Sequence, residues 1–278
     1  MKIAKSHLEP DLALMRDAAL KAGEIAMGFL SAGEAKAWDK SPGHPVTEAD
    51  IAVNTYLAER LQSERRDYGW LSEETADSLS GRAQTRVWVV DPIDGTRAFM
   101  RGDPNWCVSI ALVENGEPTA SVIYAPVFRE LYEARAGGGA ELNGERISVS
   151  QQAREEGMRL ITNPSLVEHP DWPEPWPDLT VSDPKPNATL YRMALVAAGR
   201  WDATFALFRK FDWDLAAGTL LVHEAGGLAT THLGEIFDFN RVVPAQRSML
   251  AAGKALHPLL VRRVKKVKLP DPNETAGS

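Results

Sequence analysis

The stretch Val87-Trp88-Val89-Val90-Asp91-Pro92-Ile93-Asp94-Gly95-Thr96 constrains this chain more than any other. Residues of strand-forming type run into two acids held three apart around a proline. Such an apolar run reads as a buried strand, and the end of a strand is where α/β folds place their chemistry. Proline fixes its own φ and biases the preceding residue toward extended geometry, so the Asp91 backbone is steered. Two carboxylates this close repel each other unless a cation lies between them. Magnesium meets that need, because it is a hard cation held by one or two carboxylates together with substrate phosphate. Gly95 and Thr96 would then open a helix, whose first N–H groups suit a phosphate. The plainer reading is an Asp-Pro turn after a strand, since Asp, Pro and Gly are all turn residues.

Three further acidic segments bear on that choice. Val46-Thr47-Glu48-Ala49-Asp50 leads into a helix through Leu57 and Leu61. Thr47 and Asp50 match a capping box, a structural role that Asp50 fills without any chemistry. Trp70 and Leu71 read as a short buried strand whose end presents Glu73, although paired Glu73 and Glu74 also read as solvated loop residues. The other cluster is Phe211-Asp212-Trp213-Asp214-Leu215-Ala216-Ala217-Gly218. There Asp212 is expected to cap a helix that Gly226 ends, with Asp214 in the first turn, where an acid complements the helix dipole.

Composition narrows the function classes. At 278 residues, 44% of them hydrophobic and 25% charged, the chain suits one large soluble domain or two modest ones, divided here into 1–150 and 151–278. A net charge of −7 argues against a nucleic-acid clamp. Only Val261-Arg262-Arg263-Val264-Lys265-Lys266-Val267-Lys268 is basic, and it reads as a solvated surface. The single Cys107 allows no intrachain disulfide and fits a reducing, cytoplasmic setting. A charged N-terminus predicts no signal peptide, and no apolar run is long enough for a membrane span.

The remaining elements follow from pattern. Residues 11–30 carry Leu12, Met15, Ala19, Ala22, Ala26 and Phe29 at helical spacing, with Gly33 as a stop. Residues 40–45 read as a turn-rich loop. Residues 106–150 read as a meander, with hairpin turns at Asn115-Gly116 and Asn143-Gly144. Gly137-Gly138-Gly139 reads as a loop, not a nucleotide fingerprint. The Pro- and Trp-rich residues 169–186 read as a long irregular loop, residues 189–199 as a helix with a glycine stop, and His223 as a packed or solvated helix residue. A last strand at 248–253 and a closing helix from His257 complete the chain.

Each acidic cluster alone has a bland explanation, but together they form a specific pattern. Glu73, Asp91-x-x-Asp94-Gly95-Thr96 and the distant Trp213-Asp214-x-Ala216-Ala217-Gly218 resemble the signatures of the inositol monophosphatase family. These lithium-sensitive, Mg-dependent phosphatases belong to a superfamily that includes bisphosphate nucleotidases. The resemblance runs from Val46 to about Ala252 and takes in Glu224-Ala225-Gly226-Gly227. It implies a layered α/β/α/β/α sandwich. It also implies metal ligands at Glu73, Asp91, Asp94 and Asp214 and at the Ile93 carbonyl, with two or three Mg²⁺ in each site. Asp50 would hold a further metal or its water, and Thr96 would orient an attacking water. Gly95 and Thr96 would offer N–H groups to the phosphate, and the family is often dimeric. The reaction expected is direct hydrolysis of a small phosphate monoester, with no phosphoenzyme.

Substrate choice is less legible. In inositol-preferring members an acid lies seven residues before the Asp that matches Asp214, and here that position is Leu207. Arg192 stands where nucleotidase-like members tend to carry a cation; its plain alternative is a solvated helix arginine. Inositol 1-phosphate therefore ranks narrowly ahead of 3′-phosphoadenosine 5′-phosphate. A role in binding RNA or the transcription machinery is kept as a remote alternative.

Overall fold

The computed structural model describes residues 8–32, 36–41, 43–168, 172, 174–183, 186–267 and 269. Helix α1 (Glu9–Ala32) is followed by a hairpin of β1 (Ala37–Ser41) and β2 (His44–Thr47), then by α2 (Glu48–Glu64). Strands β3 (Gly69–Ser72), β4 (Arg86–Asp94), β5 (Cys107–Glu114), β6 (Glu117–Ala125), β7 (Glu130–Arg135), β8 (Gly139–Leu142) and β9 (Glu145–Ile147) form a seven-stranded sheet in that order. A short helix α3 (Thr96–Met100) leaves the end of β4. Only the β3–β4 pair is parallel; every later neighbour is antiparallel. The expected meander is present, and both of its predicted turns hold asparagine and glycine at positive φ (Asn115 53° and Gly116 83°, Asn143 50° and Gly144 81°).

Beyond this sheet come β10 (Arg159–Leu160), α4 (Pro164–Val167), β11 (Thr180–Val181), α5 (Thr189–Ala197) and β12 (Ala203–Ala206). Then follow β13 (Lys210–Phe211), α6 (Ala216–Glu224), β14 (Gly227–Thr230), β15 (Ala245–Gln246), β16 (Met249–Gly253) and α7 (His257–Val264). The second sheet has the order β11-β10-β12-β16-β14, and β13 pairs with β15 apart from it.

Burial shows how the layers stack. In β4, Trp88 and Val90 pack against α1 and α2, whereas Val87 and Val89 pack toward α5 and α6. A strand covered on both faces has no reason to alternate polar and apolar residues, hence the unbroken run in the sequence. The inner cluster continues through α5 and α6 to Ala229, Met249 and Ala251 of the second sheet. That sheet's other face, with Phe205 and Leu250, packs on Leu256, Leu260 and Val264 around α7. The result is the layered α/β/α/β/α sandwich. Close approach of α5 and α6 depends on Gly218, where an added Cβ would lie 2.7 Å from the Met193 sulfur.

Four local expectations need correction. Residues 40–45 are not simply loop: Lys40 and Ser41 end β1 and His44 and Pro45 begin β2, in a hairpin paired from Ala37↔Thr47 to Ser41↔His44. Residues 169–186 include β11, and Trp172 and Trp176 pack against Phe205, so the segment is not wholly irregular. Asp212 does not cap α6: its carboxylate accepts from the Asn240 amide and the Gln246 side chain. The first helix spans Glu9–Ala32, and its expected stop, Gly33, lies outside the described residues. Among the described residues no helix is long and apolar enough to cross a membrane.

Candidate active site

The site begins with a fault in a strand. Asp91 of β4 pairs with Ser109, and Asp94 next pairs with Cys107. Two residues of β4 thus oppose one of β5, which is a bulge, and Pro92 sits in it without breaking a needed ladder bond. Residues three apart on a regular strand point to opposite faces. The extra residue cancels that, and Asp91 and Asp94 come together.

Asp214 completes the group. It lies in a single 3₁₀ turn (Asp212–Asp214) ahead of α6, its Oδ2 accepting from the Phe211 amide at 2.7 Å. Carboxylate oxygens of Asp91, Asp94 and Asp214 all lie within 4.8 Å of one another. Asp94 is fixed by the start of α5, accepting from the amides of Thr189 (3.1 Å) and Leu190 (2.5 Å). The Asp91 Oδ1 atom is buried and has no hydrogen-bond partner.

Electrostatics follow from that crowding. Burial, then the charges of Glu73, Asp94 and Asp214, hold the Asp91 carboxyl well above the usual range. Burial and Asp214 push Asp94 up to about 7, with Lys210 and the two α5 amides pulling the other way. Glu73 is raised as well, chiefly by burial and against the pull of Lys40.

The other predicted residues cluster around this core. Lys40, on the β1–β2 hairpin, donates to Glu73 at 2.9 Å and to Glu74 at 2.6 Å. Asp50 forms the expected capping box, its Oδ2 accepting from the Thr47 amide and hydroxyl. Its Oδ1 accepts from the Thr96 hydroxyl at 3.1 Å, and that hydroxyl also lies 3.2 Å from the Ile93 carbonyl. Gly95 has φ +98°, and a Cβ there would come within 3.1 Å of Ala188 and 3.2 Å of the Asn105 carbonyl. Arg192 is no solvated arginine: it is buried within α5, and burial lowers its pKa to about 10.

Charge of this kind calls for divalent cations. The donors are hard carboxylate oxygens that could hold a metal ion, and the buried Asp91 Oδ1 is an acceptor without a protein partner. The model of the "Inositol monophosphatase family" matches residues 7–269. This chain belongs to the inositol monophosphatase family. An "Inositol-1-monophosphatase" of Caulobacter vibrioides is 34% identical over 260 residues, covering 90% of this chain and 99% of that protein. A "Nus factor SuhB" of Xylella fastidiosa is 36% identical over 229 residues, covering 79% and 81%. The crystal structure of the extragenic suppressor protein suhB from Bartonella henselae superposes with a TM-score of 0.79 at 30% identity, covering 94% and 100%.

Membership of the inositol monophosphatase family still leaves this chain's own cations to be found in the structure. Lys40 and Lys210 stand beside the acids, with Lys210 Nζ 3.7 Å from Asp214 Oδ1. Sequence reasoning missed both. Lys40 pairs across 33 residues, and no local pattern marks such a contact. Lys210 lies four residues before Asp214, but in β13 and not on a helix, so no helical spacing rule marks their contact.

Proposed function

We propose that this chain is a Mg²⁺-dependent phosphomonoesterase acting on a small phosphate ester in the cytoplasm. The observation that carries this reading is the convergence of Asp91, Asp94 and Asp214 within 4.8 Å. Asp91, Asp94, Asp214 and Glu73 would hold two or three cations, with the Ile93 carbonyl as a further ligand. Bound there, the cations supply charge for the phosphate dianion and acidify a water. The protein's own part is orientation. Thr96, held by Asp50, orients the attacking water; as its oxygen takes the water's proton, its own hydroxyl proton passes to Asp50 Oδ1, to which it already donates. The backbone at Gly95 and Thr96 meets the phosphate. The water oxygen bonds to phosphorus as the ester P–O bond breaks, the leaving oxygen takes up a proton and departs as the alcohol, and no side chain becomes phosphorylated.

Inositol 1-phosphate is the first substrate to test, given the family and the Caulobacter relative's name. A second reading, 3′-phosphoadenosine 5′-phosphate, is favoured by buried Arg192, on which the charges of Asp94 and Asp214 act. A role in binding the transcription machinery is less well supported. Arg263 of the basic stretch is committed to Glu155 and lies over the Trp176 ring, 4.7 Å from its centroid; Lys268 lies outside the described residues. The test is phosphate release from both esters with and without Mg²⁺. Release from neither, at any Mg²⁺ concentration, would sink the reading.

A further inference from the structure

Beside the carboxylates stand two cations that hydrolysis of a phosphate ester does not by itself require. Arg192 is 2% exposed. Its guanidinium reaches the Thr204 and Thr189 hydroxyls only at 3.4 Å, and its Nε is buried without a partner. Buried donors are normally satisfied, so this guanidinium has capacity to spare. Lys210 is the more forward of the two. Its side chain is 12% exposed, its Nζ is 3.7 Å from Asp214 Oδ1, and it lies over the Phe208 ring at 5.0 Å. Phe208, the ring it lies over, is 53% exposed, so Lys210 reaches from a solvent-facing ring to Asp214. A separation of 3.7 Å is an ion pair without a close hydrogen bond, leaving the ammonium donors available. Leu207, three residues before Lys210, packs against the outer apolar cluster of Phe205 and Leu250 and offers nothing to a neutral polyol.

We propose that Lys210 selects substrates whose leaving group carries a second anion, a carboxylate or a phosphate, with Arg192 as buried positive charge behind it. The inference rests on the phosphomonoesterase reading and names its substrate class. Asp214 cannot balance a divalent cation and Lys210 at full strength together. With Asp94 and Asp214 engaged by metal, Lys210 loses its counter-ion, and an anion on the substrate restores one. The covalent chemistry is unchanged, because the second anion stays remote from the ester bond that breaks. The competing account is that Lys210 only neutralises Asp214.

The experiment compares kcat/KM at saturating Mg²⁺ for four small esters: phosphoglycolate, 3′-phosphoadenosine 5′-phosphate, glycerol 2-phosphate and phosphoethanolamine. The two anionic leaving groups should lead the neutral one by about tenfold, the factor expected of one partly buried ion pair, with the cationic one last. In Lys210→Met that lead should collapse, mainly through KM, and in Lys210→Arg it should survive. Raised ionic strength should shrink it in the unaltered protein, which gives a readout independent of whether the variants fold. Equal rates across the four esters, or a lead that persists in Lys210→Met, would overturn the inference alone. Absence of Mg²⁺-dependent release from every ester would overturn the phosphomonoesterase reading, and the inference with it.

Discussion

Thr96 and Asp50, 46 residues apart in sequence, share a hydrogen bond of 3.1 Å from the hydroxyl to Oδ1. The other oxygen of Asp50 is spent on the α2 cap. One carboxylate therefore serves helix and site at once, each through its own oxygen. Thr96→Val keeps the shape and removes the hydroxyl. Activity should fall by about a hundredfold or more, within the range for lost general-base help, while stability falls by only about 1 kcal/mol. Thr96→Ser should recover most of the rate. Steady-state kinetics beside thermal melts separate the two effects.

Asp91→Asn should abolish turnover, by roughly a thousandfold, even at saturating Mg²⁺. The metal-free variant should nonetheless melt at or above the parent temperature, because a buried carboxylate that repels Glu73, Asp94 and Asp214 has been neutralised. Near-normal activity in this variant would refute the ligand assignment.

The raised acids make stability depend on pH in a stated direction. Asp94 ionises near 3.8 in an unfolded chain but at about 7 when folded. Between those values the folded chain holds a proton that the unfolded chain has released. Stability of the metal-free protein should therefore fall as pH rises through that window. Magnesium should bind more tightly as pH rises across it and should offset the loss. Melts at pH 5 and pH 8, with and without Mg²⁺, test both halves.

Lys40 bridges Glu73 and Glu74 with an ammonium group where added cations would compete. Lys40→Met should tighten apparent Mg²⁺ affinity, as read by calorimetry. Unchanged or weaker affinity would show that Lys40 assists the metal site instead of competing for it.

Gly95→Ala tests backbone geometry alone. The φ of +98° and the approach of Ala188 and the Asn105 carbonyl leave little room for a methyl group. A loss of about 1–3 kcal/mol is expected, seen as a lower denaturation midpoint.

Much of this site was legible in the sequence because its backbone devices are local. The capping box at Thr47–Asp50, the Asn-Gly turns and the Asp-Pro-Ile-Asp-Gly-Thr run each carry their geometry within a few residues. What escaped was long-range. The Lys40 partners lie beyond a helix, and the burial of Arg192 is decided by both sheets packing over α5. Asp212 looked like a cap because its true partners, Asn240 and Gln246, lie in a later part of the chain. The triple glycine reads as a loop, and Gly137 and Gly138 do lie in the β7–β8 turn, but the sequence carries no sign of what that turn holds. The Gly137 and Gly139 amides clasp the Glu224 carboxylate at 2.7 and 2.6 Å, tying the β7–β8 turn to α6.

The bulge at Pro92 has a consequence of its own. Whether Asp91 and Asp94 face each other is a question of counting, odd or even, and no choice of side chain at Pro92 or Ile93 can restore the parity once a residue is lost. Tolerance to substitution and tolerance to deletion should therefore part company here. The segment can change its letters, but not its length.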